Sequence, residues 1–471
     1  MLDTNIIFKF SLEALPFEPT DEQTELLHYL ATFIASGEQH DAFILYGYAG
    51  TGKTSVIAAL VAALGHTRLK TVLLAPTGRA AKVLSNYAHK PAYTIHKRLY
   101  RGDALTPCST NFFLAPNKDK DTVFIVDEAS MIPGEQSQLL YHLIQHVYSS
   151  PGCSLIFVGD TAQLPPVGEM QSPAMSPSIL EAYGLNIHAY ELEKPLRQAS
   201  HSGILYNATR LRRRMLKDPL PAARLWPWRF KDVSVVSSEF LAEQIADSYS
   251  LVGQDSTIVI TRANWRASAF NRAIRATVLY ANERLQKGER IVVAKNNYFW
   301  TAKQTEAQFI ANGEGAIVQR ILGYETRFNH DWADVELLFP DTGVEIEAKL
   351  LLTVLDCEAP ALPQQDFAAL YQEILTHKRE EGLPHGRELQ AMRTDPYINA
   401  IQAKYGYCLT CHKAQGGQWK HVYADLSGIT PEALTSLDTH RWMYTAVTRA
   451  ISHLYLINPS IPLNNDPAPA L

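Results

Sequence analysis

The chain has 471 residues, with 43 Lys and Arg against 48 Asp and Glu, for a formal charge of −5. Ordinary domains run to about 100–200 residues, so roughly two to four are expected. Hydrophobic residues make up 46% and charged residues 19%, which excludes disorder as the main state, and the slight acidity excludes a uniformly basic, histone-like binder, leaving only a local basic surface for any nucleic acid.

In chain order, short and almost continuously apolar runs stand at 42–46 (AFILY), 71–75 (TVLLA), 122–126 (TVFIV) and 154–158 (SLIFV), each ending at a polar loop. That is how parallel strands buried on both faces read. Between the first two, Ser55–Leu64 carries Val56, Ile57, Leu60, Val61 and Leu64 at helical spacing. An open α/β sheet follows, with ligands at the carboxyl ends of its strands. Residues 194–231 hold ten Lys and Arg and one acid, Asp218. Ile204, Ala208, Leu211 and Met215 make an apolar face there, with Arg210, Arg212, Arg213 and Arg214 mostly off it. That face is either solvated or a nucleic-acid contact.

A second strand and helix pattern begins at Val233 (VSVV) and continues through 257–260 (TIVI) and ANWRASAFNRAIRATVL. Residues 288–357 then alternate between Gly turns, as a small antiparallel barrel does. Residues 364–405 read as helical and charged, and strands return at 421–426 and 454–457. The economical interpretation is a second α/β core interrupted by an insertion. The tail 458–471 reads as disordered. Five cysteines at mostly wide spacings make no disulfide framework and fit a reducing compartment. The N-terminal stretch lacks the basic head of a secretory signal, and no run nears the roughly 20 apolar residues of a membrane span. A cytoplasmic protein with no membrane partner is expected.

Gly47, Tyr48, Ala49, Gly50, Thr51, Gly52, Lys53 and Thr54 match G-x-x-x-x-G-K-[ST] in full, after a strand and before a helix, the context this phosphate-cradling loop requires. Its backbone N–H groups turn toward phosphate oxygens, Lys53 reaches the β- and γ-phosphates, and Thr54 offers a hydroxyl to Mg²⁺. Asp127 and Glu128 end a buried strand; Asp127 is assigned to Mg²⁺ and Glu128 to the base that polarises the attacking water. Their alternative is capping of the next helix. Gln163, in the loop after strand 154–158, is the candidate γ-phosphate sensor. ATP and Mg²⁺ are the expected cofactors.

Taken together, Gly47–Thr54, Ala75-Pro76-Thr77-Gly78-Arg79-Ala80-Ala81, Thr94-Ile95-His96, Asp127-Glu128-Ala129-Ser130-Met131 and Gly159–Pro166 resemble, in that order, the motifs of superfamily 1 DNA helicases of the RecD/Dda-like branch. Thr410-Cys411-His412-Lys413-Ala414-Gln415-Gly416 resembles that family's T-x-H-K-x-Q-G motif, and Tyr444-Thr445-Ala446-Val447-Thr448-Arg449-Ala450 its final Y-x-A-x-T-R-A motif. Leu192–Gln198 resembles its arginine motif, and Gln23 matches the glutamine that reads adenine.

The resemblance implies two RecA-like P-loop NTPase cores, residues 1–96 with 121–205 and residues 206–285 with 406–471. It also implies a pin-like hairpin at 97–120 and an SH3-like β-barrel with a helical arm at 286–405. Arg197 and Arg449 would approach the γ-phosphate, with Gly416 and Tyr444 lining the nucleotide from the second core. Thr77, His96, Lys97, Arg98, Thr410 and His412 would lie along the DNA, each being alternatively a loop-ordering residue. Phe113, beside Phe112, would stack on the last base pair of a duplex or else pack the hairpin onto the core. Asn297-Tyr298-Phe299-Trp300 offers aromatic faces for bases, or a barrel core. Cys408-x-x-Cys411-His412 offers a single pair at zinc-ligand spacing, and His412 already belongs to the helicase motif.

The function implied is an ATP-dependent helicase, an ATP hydrolase that translocates 5′→3′ on single-stranded DNA and unwinds duplex DNA as a monomer. Its pathway (repair, recombination or replication) stays open. The rival readings are a non-motor P-loop NTPase and an ATP-gated scaffold that binds nucleic acid without unwinding. RNA as substrate also stays open, because phosphate contacts discriminate weakly against a 2′-OH.

Overall fold

The computed structural model describes residues 3–101, 113–134, 137–194, 202–281, 284–301, 310–340, 342–459 and 463, with backbone alone at 101 and 113. The chain divides into two compact units, Met1–Leu99 with Leu114–Ser237 and Ala414–Leu471, and Tyr100–Phe113 with Ser238–Lys413.

The first unit is built on a six-stranded parallel sheet in the order Ala92–Thr94, Lys70–Ala75, Thr122–Val126, Ser154–Gly159, Asp41–Gly47, Asn186–Leu192. The four strands expected from apolar runs are present to within one residue at each end. Burial explains why they were legible: every residue of Thr122–Val126 is buried, as a central parallel strand requires. Asn186–Leu192, at the sheet edge, keeps only Leu192 buried. Its polar, half-solvated composition carries no buried-strand signal. Helices Thr4–Glu13 and Asp21–Ser36 cover one face, with Ile7, Leu26, Leu30 and Ile34 joining Phe43, Leu45, Val56, Leu60 and Leu64 in a single core. The chain leaves Asp41–Gly47 toward one side of the sheet and Ser154–Gly159 toward the other, so a crevice opens at the carboxyl ends of those two strands.

The same unit contains a parallel set formed by Val233–Val236, Ala450–Ile457 and Trp419–Asp425, in that order. Helix Leu437–Val447 has eight buried residues, Thr439, His440 and Trp442 through Val447. Helix Gly203–Met215 is fixed at its start by Asp232, whose carboxylate accepts from Ser202 Oγ and the Gly203 N–H, each at 2.8 Å.

In the second unit, Thr257–Thr261 pairs in parallel with Cys408–Thr410. An antiparallel sheet follows in the order Val344–Leu351, His330–Phe339, Gly315–Arg327, Arg290–Val293, Ala403–Tyr405. Helix Gln364–Glu380 covers it through Leu370, Ile374 and Leu375 against Trp332 and Leu351. Two-residue strands at Tyr100–Arg101 and Phe113–Leu114 flank 102–112. Among the described residues, no helix is long and apolar enough to cross a membrane. The tail expected to be disordered lies outside the described residues except at 458, 459 and 463.

Candidate functional site

The loop 47–54 sits at the carboxyl end of its strand and opens helix Lys53–Leu64. Gly50 and Gly52 hold φ of +80° and +83°, the left-handed region that glycine enters without steric cost. Helix Lys53–Leu64 has no side-chain cap, so its first N–H groups are open to an anion. Lys53 Nζ donates to the carbonyls of Gly47 at 2.6 Å and Tyr48 at 3.1 Å. A Cβ on Gly47 would meet Lys53 Cγ and Cδ at 2.8 Å, so the glycine leaves room for this side chain. Gln23 is 1% exposed; its Nε2 donates to the Thr51 carbonyl at 3.0 Å, and its Oε1 caps the Thr20 N–H at 3.1 Å. The glutamine thus braces the loop from the start of its own helix. Tyr48 donates its hydroxyl to Glu191, and Arg212 lies over the tyrosine ring while reaching Glu191 at 3.8 Å.

Two acids at the end of strand Thr122–Val126 face this loop. Asp127 accepts the Glu128 N–H at 2.9 Å. Burial, then the Glu128 charge, push the Asp127 carboxyl up to about 6 against the opposing charge of Lys53. Such a carboxylate beside a second one is short of positive charge, and its oxygen donors suit a divalent cation, so the residues fit Mg²⁺ at Asp127 and Thr54. Glu128 takes φ of +52°, a left-handed conformation costing on the order of 1 kcal/mol for a residue with a Cβ. Its Oε2 accepts from Gln163 Nε2 at 3.4 Å. Gln163 is 6% exposed, and its Oε1 is buried without a hydrogen-bond partner. That carbonyl oxygen is available to accept from a water.

The C-terminal motifs close the site within the same unit. Tyr444 Oη accepts the Ala49 N–H of the phosphate loop at 2.9 Å and donates to Asp160 Oδ2 at 2.6 Å. Burial, then the Asp160 charge, hold the phenol well above its ordinary range, so it stays a donor. The Leu164 peptide is gripped from both sides: its N–H donates to Thr445 Oγ1 at 2.9 Å, and its carbonyl accepts from Gln415 Nε2 at 2.7 Å. Arg449 is 4% exposed. It donates to the Thr445 carbonyl at 3.1 Å, the Gly417 carbonyl at 3.3 Å and Thr448 Oγ1 at 3.2 Å, and its Nη1 lies 4.0 Å from Glu128 Oε1. Gly416 (φ +71°) crosses so close to the motif after strand Lys70–Ala75 that a Cβ would meet Ala80 Cβ at 2.8 Å and Thr77 Oγ1 at 3.2 Å. One unit therefore brings together Gln23, Lys53, Thr54, Asp127, Glu128, Gln163, Gly416, Tyr444 and Arg449.

Asp160 and Thr445 are site residues that sequence reasoning did not single out. Asp160 had a signal, an acid at the end of an apolar strand as Asp127 is, but its burial to 1% has none. Tyr444→Phe removes the donor from this buried carboxylate, leaving it the Ala162 N–H at 3.0 Å. The variant is expected to lose about 1–3 kcal/mol of unfolding free energy in urea. Asp160→Asn in the same background should recover part of that loss, because a neutral amide costs less to leave half-paired.

Thr77 caps helix Gly78–Ala88 through a hydrogen bond from the Ala80 N–H at 3.2 Å. His96 is pushed down by burial. Lys97 Nζ lies 5.7 Å from the Tyr93 ring centroid, and Arg98 pairs with Asp119. Thr410 and His412 belong to the second unit, where Thr410 is buried. There Cys408 and Cys411 are buried thiols outside any disulfide, and Trp300 donates to the Asn399 carbonyl at 2.8 Å. Arg197, Phe112 and the Phe113 side chain lie outside the described residues.

A parallel sheet with a phosphate loop at its switch point, faced by two strand-end acids, defines a P-loop nucleotide-binding protein. Residues 19–217 match the AAA domain model, and residues 405–457 match the UvrD-like helicase C-terminal domain. The ATP-dependent RecD2 DNA helicase of Deinococcus radiodurans is 24% identical over 452 residues, 92% of this chain and 48% of that protein. The ATP-dependent DNA helicase dda of Enterobacteria phage T4 is 30% identical over 169 residues, 35% of this chain and 36% of that protein. The chain thus spans about half the length of the Deinococcus relative and a third of the phage one. The Bacteroides Pif1 helicase crystallised with ADP-AlF3 and ssDNA aligns over 94% of this chain and 93% of its own, with 15% identity and a TM-score of 0.49. The family-model matches, the helicase relatives and the order of the motifs support a superfamily 1 helicase of the RecD/Pif1-like kind.

Proposed function

We propose that the chain is an ATP-dependent DNA helicase that moves 5′→3′ on single-stranded DNA and unwinds duplex. The observation that carries the reading is the grip of Tyr444, Thr445 and Gln415 on the phosphate loop and on the Gln163 loop. Residues of the C-terminal helicase motifs hold the two segments that would touch the γ-phosphate, so loss of that phosphate would be felt by both.

In the reaction, the loop N–H groups and Lys53 hold the β- and γ-phosphates, and Gln23 borders the adenine. Gln163 Oε1 orients the attacking water and Glu128 takes its proton as oxygen bonds to the γ-phosphorus. The bridging oxygen leaves with ADP. Arg449, with Arg197, stabilises the charge that develops on the transferring group. Thr54 and Asp127 would hold Mg²⁺, which supplies charge neutralisation at the phosphates.

Thr77, His96, Lys97 and Arg98, with Thr410 and His412, contact the DNA backbone. Phe113 in the 97–120 hairpin acts as the wedge, and 286–405 is an SH3-like accessory domain with its arm. The two cores comprise 1–96 with 121–205 and 206–285 with 406–471. The protein works as a cytoplasmic monomer. The test is the ATPase rate with and without oligo(dT). Stimulation by single-stranded DNA is expected; a rate indifferent to DNA would instead fit a non-motor NTPase.

A further inference from the structure

Helix Gly203–Met215 carries a basic stripe that the nucleotide site does not use. Arg210, Arg213 and Arg214, with Lys217 just beyond the helix end, recur at i, i+3, i+4 and i+7 and so share a face. Arg212 turns the other way, over Tyr48. No acid occurs from Gly203 to Lys217, so the stripe lacks the carboxylates at helical spacing that ordinarily neutralise such a face.

The stripe is also built onto aromatic surface. The guanidinium carbons of Arg210 and Arg214 lie 5.5 and 5.8 Å from the ring centroid of Trp226, which is 4% exposed. Arg210 Nε donates to Tyr206 Oη at 3.2 Å, and Arg214 Nη1 to the Ala222 carbonyl at 2.8 Å. Burial, and then the nearby charges of Arg224 and Arg210, press the Arg214 guanidinium below its ordinary range. Arg213, Lys217 and Arg224 are exposed, and Trp228 presents a ring that is 62% exposed.

Mutually repelling cations fixed on one surface cost free energy in isolation and are relieved by a polyanion. Planar guanidiniums suit phosphate oxygens, and an open indole suits a nucleobase face. We propose that Arg210, Arg213, Arg214, Lys217, Arg224 and Trp228 form a second binding surface for single-stranded nucleic acid, gripping consecutive phosphates and stacking a base. The choice of nucleic acid as occupant rests on the helicase reading; the charge pattern alone asks for an extended anion.

The experiment compares wild-type protein with the double variant Arg213→Glu/Arg224→Glu, both positions being exposed and outside the nucleotide site. Fluorescence anisotropy with oligo(dT) of about 40 nucleotides is titrated across salt, using the 471-residue chain. Each neutralised phosphate contributes about −0.7 to the slope of log affinity on log salt for a single strand. The variant is therefore expected to bind roughly tenfold more weakly at low salt, with a shallower slope. Trp228→Ala should weaken binding while leaving the slope unchanged, because stacking releases no counterion.

Unchanged affinity and slope in Arg213→Glu/Arg224→Glu would overturn the proposal and make the stripe a solvated face. Thermal midpoints within a degree or so of wild type exclude misfolding as the cause of a loss. The ATPase rate at saturating short oligo(dT) is read in parallel and is expected to survive in the variant. Failure of DNA to stimulate the wild type would count against the helicase reading and not against this surface.

Discussion

Lys53→Ala is expected to abolish ATP turnover, with a loss of at least about a thousandfold, of the size that removing a group acting on transferring-phosphoryl charge produces. Lys53 Nζ rests on the Gly47 and Tyr48 carbonyls, in the space within the loop, and Gly47 has no Cβ to displace it. Alanine leaves that space without its cation. The fold should survive, because the helix that Lys53 opens is anchored by Val56, Ile57, Leu60 and Leu64 on its buried face. Phosphate release measured beside the thermal midpoint separates the two effects. Persistent DNA-stimulated hydrolysis in a folded Lys53→Ala protein would refute the assignment.

Arg449→Lys should be nearly as costly, lowering kcat by about 10³–10⁵ while changing nucleotide affinity far less. The guanidinium already uses three acceptors, at Thr445, Gly417 and Thr448, and reaches within 4.0 Å of Glu128. A lysine ammonium has the charge but not the fork. It can satisfy those carbonyls or reach toward the phosphate, but not in the same planar arrangement. Fluorescent ATP-analogue binding measured alongside single-turnover hydrolysis distinguishes lost transition-state charge from lost binding. If both constants stayed within twofold of wild type, Arg449 would be a structural residue of its helix end.

Much of this arrangement was legible because it is local. The phosphate loop is a contiguous motif in a strand–helix context, and the buried strands announce themselves as unbroken apolar runs. What stayed hidden depends on distant partners or on partial exposure. Asn186–Leu192 is an edge strand with alternating, largely solvated residues, and Ala92–Thr94 is only three residues long. Asp160 gains its place only when Tyr444, 284 positions away, donates to it. Arg98, singled out for its charge, pairs with Asp119. Gln23, matched for its part at adenine, also ties the Thr51 carbonyl to its own helix start. Charge and motif position name such residues, but only the fold supplies their partners.

If residues of the C-terminal motifs and the phosphate loop share a nucleotide whose hydrolysis drives movement along a strand, strand release must depend on hydrolysis. The direct measurement is displacement of a labelled strand from short duplexes carrying a 5′ or a 3′ single-stranded tail, with ATP and with a non-hydrolysable analogue. Release from the 5′-tailed duplex with ATP alone is the predicted result. Equal release with the analogue, or no release from either substrate by protein that hydrolyses ATP, would contradict it.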